Sequence, residues 1–154
     1  MTAVSRVPAF IDNLLAALQA ASGLADVKVV DGPIVSGAAA NQWVFIGYDG
    51  DPEGEMQAVS ESQEWAGIGA KKKNEEILLT CCVMVLGGTT DVKTIRDQAY
   101  SILGEIETVA RTDVAQGLPT PTVCAITEHS YFQEQTSDGL RGRLPFTLSC
   151  STRI

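Results

Sequence analysis

The chain of 154 residues holds a single histidine, His129. General-base catalysis by histidine needs a nucleophile and an orienting carboxylate beside it. His129 sits in a strand-like run between Glu128 and Ser130, whose side chains point to the opposite face, so it reads as a surface or interface residue. One histidine also cannot complete a familiar zinc set, and the four cysteines have no Cys-x-x-Cys spacing. No Gly-x-Ser-x-Gly elbow and no Asn-x-Ser/Thr sequon occur. Basic residues are scarce: 11 Lys and Arg stand against 19 Asp and Glu, a formal charge of −8. That disfavours nucleic acid as an attractive partner, because phosphate binding needs clustered cations. No apolar run reaches the length of a membrane span. No basic start leads into an apolar stretch, so a signal peptide is not expected.

Hydrophobic residues make up 45%, enough for a real core, and the length favours one domain, 1–154. Cys81, Cys82, Cys124 and Cys150 all lie in strand-like runs and read as buried thiols of a reducing compartment. Neighbouring Cys81 and Cys82 face opposite sides of a strand and do not suit each other as partners.

Periodicity orders the elements. Pro8 opens a helix reaching about Ser22, with an apolar stripe of Phe10, Ile11, Leu14, Leu15 and Leu18. Short strands are expected at Val27 to Val30 and Gln42 to Tyr48, and a polar strand from Glu55 to Trp65. Glu76 to Leu86 is the most hydrophobic run and reads as central. Thr90 or Asp91 caps a second helix to about Arg111, with Val92, Ile95, Ala99, Ile102, Leu103 and Ile106 at helical spacing. Thr122 to Thr136 reads as one strand, Asp138-Gly139 as a tight turn, and Leu140 to Ile154 as a strand alternating almost without error. The expected fold is α+β, a mostly antiparallel sheet with two helices packed on one face and a long C-terminal β-hairpin.

At about 3.3 Å per residue that hairpin is roughly 45–50 Å long. A domain of this size is about 40 Å across. The hairpin is therefore expected to bend sharply or to project, leaving backbone edges that a neighbouring subunit would pair.

Several motifs point to chemistry and fall short. Gly67-Ile68-Gly69-Ala70-Lys71 lacks the Gly-Lys-Ser/Thr ending of a phosphate loop and lies between strands, so it reads as a hairpin loop. Asp49-x-Asp51-x-Glu53-Gly54 matches half of a calcium loop, but Ser60 stands where the bidentate glutamate belongs. Glu61 and Glu64 fall on opposite faces of their strand. The expected cofactor and metal set is none. Trp43 reads as core. Trp65, beside a glycine-rich loop, reads as either a packed residue or an interface anchor. Lys71, Lys72 and Lys73 form the one basic run, suited to a solvated tip or to an acidic patch on a neighbour.

The whole layout resembles the tail terminator (tail completion) proteins of long-tailed bacteriophages. The resemblance rests on the opening helix Val7–Ala21, Val29-Val30-Asp31-Gly32-Pro33, Val44-Phe45-Ile46-Gly47, and Ser62-Gln63-Glu64-Trp65-Ala66-Gly67-Ile68-Gly69. Glu75-Glu76-Ile77, the helix Val92–Arg111 and the closing hairpin ending in Phe146-Thr147-Leu148 complete it. Gln116-Gly117-Leu118-Pro119 departs from the Leu-Gly-Gly that some members carry. The resemblance implies a homo-hexamer on the head-proximal end of the tail tube, in the virion, assembled in the host bacterium. It would bind the tail tube protein and a head-completion or connector protein, with no catalysis and no cofactor. DNA would pass through the lumen without specific binding, in keeping with the negative charge. Expected interface residues are Trp65, Lys71, Lys72, Lys73, Asp138, Gly139, Arg141 and Arg143. The Glu55–Trp65 arm with its lysine loop is the expected axial contact. A tube or connector (stopper) subunit and a small cytoplasmic enzyme with an unrecognised pocket are the alternatives.

Overall fold

The elements are described on a computed structural model, which covers residues 3–33, 40–69, 71–88, 91–137 and 139–154. Asp138, Thr90 and most of the expected small-residue loop at 36–40 lie outside the described residues.

Helix α1 spans Val7–Ala20, with Pro8 in its first turn, where a missing N–H costs nothing. It buries Phe10, Leu14 and Leu18. Helix α2 spans Val92–Thr112. Asp91 caps it, accepting from the Lys93 N–H at 3.1 Å and the Thr94 hydroxyl at 2.6 Å. Ile95, Ala99, Ile102, Leu103, Ile106 and Ala110 form its buried stripe.

Among the described residues seven strands make one sheet: β1 (Lys28–Asp31), β2 (Gln42–Ile46), β3 (Val59–Trp65), β4 (Lys73–Gly87), β5 (Val123–His129), β6 (Phe132–Thr136) and β7 (Gly139–Arg153). Two 15-residue strands, β4 and β7, form its spine. They pair antiparallel without a register break from Asn74↔Arg153 to Gly87↔Leu140. Each carries two shorter strands end to end along its other edge. β3 and β2 lie along β4, and β5 and β6 lie along β7. β1 joins the outside of β2 in parallel, the one such pair among the described residues. The fold is thus α+β and mostly antiparallel, as the periodicity indicates.

Odd residues of β4 (Ile77, Leu79, Cys81, Val83, Val85) and even residues of β7 (Leu144, Phe146, Leu148, Cys150) are buried beneath both helices in one core. The helices therefore cover a single face. The opposite face holds a smaller cluster in which Trp43 stacks on Phe45 at 5.6 Å and Phe45 meets the edge of Tyr48, with Val30 and Cys82 beside them. Trp43 is half-buried there rather than in the main core.

Two expectations are corrected. The run 122–136 is two strands, not one. Pro145 explains the break: its carbonyl accepts from the Ser130 N–H at 3.0 Å, so its missing donor faces the same junction, where β5 stops and β6 starts. The polar strand begins at Val59 rather than Glu55, because Met56 sits at φ +59°, outside strand geometry.

A larger correction concerns the closing ribbon. It does not project, and its edge-forming members are β5 and β6, beyond which no further strand lies among the described residues. β7 is an interior strand, paired along its length to β4 on one side and to β5 and β6 on the other. The 15-residue span is accommodated because β4 is equally long and runs beside it.

Candidate functional site

The residues expected at an interface fall at opposite ends of the β4–β7 spine. Trp65 pairs with Lys73, where β4 begins and β7 ends. Gly139 and Arg141 lie where β7 begins. Thirteen register steps separate the ends, roughly 43 Å at strand rise. No single site unites them.

At the first end, the β3–β4 hairpin closes with Ala66 N–H donating to the Lys72 carbonyl at 2.9 Å. The glycine-rich segment is thus a hairpin loop, as its place between strands indicates. Trp65 is 65% exposed, and Ile68, which the sequence reading passed over, is fully exposed. Lys73 holds its ammonium 5.3 Å from the centre of the Trp65 ring, a cation–π contact. Lys71 and Lys72 are exposed. The tip therefore presents two large apolar side chains within a basic rim.

The tip is tied to the body through Glu75, whose role no local pattern announces. This carboxylate is fully buried. It accepts from the Arg6 N–H at 2.8 Å, just ahead of α1, and from the Gln63 amide at 2.7 Å, on β3. Gln63 also donates to the Val4 carbonyl, and the Ser5 hydroxyl donates to Glu61 at 2.7 Å. Burial works to raise the Glu75 pKa, but the hydrogen-bond network around it, including the Arg6 N–H and the Gln63 amide, outweighs burial and holds the group below the usual carboxylate range.

At the second end, Arg141 forms an ion pair with Glu134. Arg143 donates to the Asp49 carbonyl at 2.9 Å and stacks its guanidinium 4.5 Å from the Phe132 ring centre. Gly139 sits at φ +124°, and a side chain there would run into the Gly87 carbonyl oxygen. Both arginines are thus engaged within the chain. The rest of the polar face is laddered across strands, with Thr127 to Ser149 at 2.6 Å and Ser151 to Glu76 at 2.5 Å.

A cleft of about 370 Å³ opens on this face, lined in part by Asp49, Asp51, Glu128, His129 and Arg143. His129 is exposed and meets Tyr100 edge-on at 6.1 Å. No hydroxyl or thiol is hydrogen-bonded to it among the described residues. Asp49 accepts from the Asp51 N–H at 2.9 Å, and Asp51 from the Glu53 N–H at 3.0 Å, so the half calcium loop is a chain of side-chain-stabilised turns. Among the described residues no group of three His, Cys, Asp or Glu side chains is placed to hold a metal.

No protein-family model matches the chain, and no curated protein matches it.

Proposed function

We propose that this protein is a ring-forming virion subunit at the head-proximal end of a long-tailed phage tail, ending growth of the tail tube and joining it to the connector. The resemblance described above supports this reading. The observation that carries it is the Trp65–Ile68 tip with its three lysines. An exposed tryptophan and an exposed isoleucine on one short loop suit a surface that is covered in the assembled state. Without Lys71–Lys73, the formal charge of −8 becomes −11. A basic tip on an acidic body attracts the body of another acidic subunit and repels another tip. That favours contacts between unlike patches, the kind that close rings.

Because β7 is paired on both sides, it is not available to extend a neighbour's sheet. The contact surfaces are instead assigned to the tip at one end and to the outer strands β3, β5 and β6. The two ends of the spine differ in chemistry, one apolar and basic, the other built of internally paired arginines. A terminator needs such asymmetry, since one face must accept the tube and the other must refuse it. The engaged state of Arg141 and Arg143 also removes two cations from the set that would hold DNA.

The test is size-exclusion chromatography with light scattering, followed by negative-stain microscopy. Discrete rings of wild-type chains, lost on joint Trp65→Ala and Ile68→Ser substitution, are expected. Long self-assembled tubes would favour a tube subunit. A monomer at every concentration would overturn ring formation by the protein alone and, if still monomeric with tube protein present, the whole reading.

A further inference from the structure

We infer that Cys124 on β5 and Cys150 on β7 form an oxidisable dithiol that closes to a cross-strand disulfide when a small peroxide reaches it. All four cysteines are free thiols. Only these two face each other: their sulfurs are 2.9 Å apart, and the residues are register partners. The Cys124 N–H points away from β7, donating to the Val114 carbonyl at 2.6 Å. The pair therefore occupies a narrow, non-hydrogen-bonded site of the ladder, where Cα atoms lie about 4.5 Å apart. That spacing is within the roughly 4.4–6.8 Å range that a disulfide spans. Cys81 and Cys82 differ. They are adjacent in β4 and lie in separate buried clusters on its two faces, and burial pushes each thiol up to about 12.

Both thiols are buried in the main core, so a peroxide reaches them when β5, the outermost strand on that side, opens locally from β7. The hydrogen-bonded contact between the two sulfurs lowers the Cys124 pKa and raises that of Cys150. Cys124 lies on the outer strand and Cys150 on an interior one, so Cys124 meets the oxidant first and is the nucleophile. Its sulfur attacks one oxygen of hydrogen peroxide, the O–O bond breaks, and hydroxide leaves with the thiol proton as water. The resulting sulfenic acid is attacked at sulfur by Cys150. The S–S bond forms, the S–O bond breaks, and hydroxide leaves with the Cys150 proton as a second water. Two thiols lose two electrons, and one peroxide becomes two waters. The bridge joins β5 to β7 across the β5–β6–β7 turns.

The experiment treats the folded full-length protein with hydrogen peroxide, unfolds it under acid, and counts thiols. Four reactive thiols are expected before treatment and two after, with the intact mass lower by two hydrogens. Peptide mapping should show the Cys124 and Cys150 peptides linked. Reduction should restore all four thiols. The bridged form should unfold roughly 10 °C higher, from the loop it closes. A joint Cys81→Ser and Cys82→Ser variant should still lose two thiols, and Cys124→Ser should leave Cys150 unlinked. The inference is overturned if all four thiols survive in the wild type, if the bridge includes Cys81 or Cys82, or if Cys124 proceeds to sulfinic acid unlinked.

Discussion

Glu75 carries more of the architecture than its single charge suggests. Its carboxylate binds the backbone ahead of α1 and a side chain on β3 while belonging to β4. Because its folded pKa lies below that of the unfolded chain, ionised Glu75 contributes stability that is fully present above about pH 4.5. That contribution fades as pH falls through the lowered folded value. Thermal midpoints measured from pH 6 down to pH 3 should therefore drop for the wild type, and drop less steeply for Glu75→Gln. At pH 7 the glutamine variant should be less stable by about 1–3 kcal/mol, since one buried donor loses an ionised acceptor. An equal slope in both proteins would show that other carboxylates govern the acid limb. Gly139 is the other position where one atom decides. Gly139→Val places a side chain at positive φ and against the Gly87 carbonyl. Chemical denaturation should show a loss of about 1–3 kcal/mol, and wild-type stability would contradict the backbone described here.

Among the elements, the helices and β7 were readable from the sequence because their signals are local. The even residues from Leu144 to Cys150 are buried as their alternation indicates, and α2 buries the stripe that its period marks. What the sequence hid was pairing. The stop between β5 and β6 is set by Pro145, a residue on another strand. The partners of Glu75 lie 69 and 12 residues away. The place of β7 inside the sheet depends on the equal length of β4, and a strand's own pattern does not say which neighbours it will have. The tip was legible in part: Trp65 follows a polar run and precedes a glycine loop, whereas Ile68 is a lone apolar residue with no periodic signal. The tip is also separable. Replacing 66–72 by a two-residue Asn-Gly turn keeps β3 and β4 paired. We expect circular dichroism and thermal midpoint close to wild type, with assembly lost. Assembly that survives the replacement would move the contact to the outer strands.

For the whole molecule, the acid excess and the placement of the cations matter together. If six copies surround a lumen, most of their charge repels DNA, and strands slide rather than stick. Replacing lumen-facing carboxylates by lysine, once a ring image identifies them, should leave rings intact and slow genome exit from the particle. Unchanged exit would reject the sliding argument. If the chain caps a phage tail tube as proposed, removal of Gly67–Lys73 should give tails of abnormal length, measured by electron microscopy, and normal tails would remove the tip from tube contact.

The unbroken β4–β7 ladder has a mechanical side. Pulled apart along the strand direction, its two long members would slide against each other and strain all of their rungs at once. Peeled from one end, they would yield rung by rung. A chain gripped at the Trp65 end of β4 and at the Gly139 end of β7 is compressed along its stiff axis. Such a subunit behaves as a strut, able to pass an end-on push across the molecule without uncoupling its sheet.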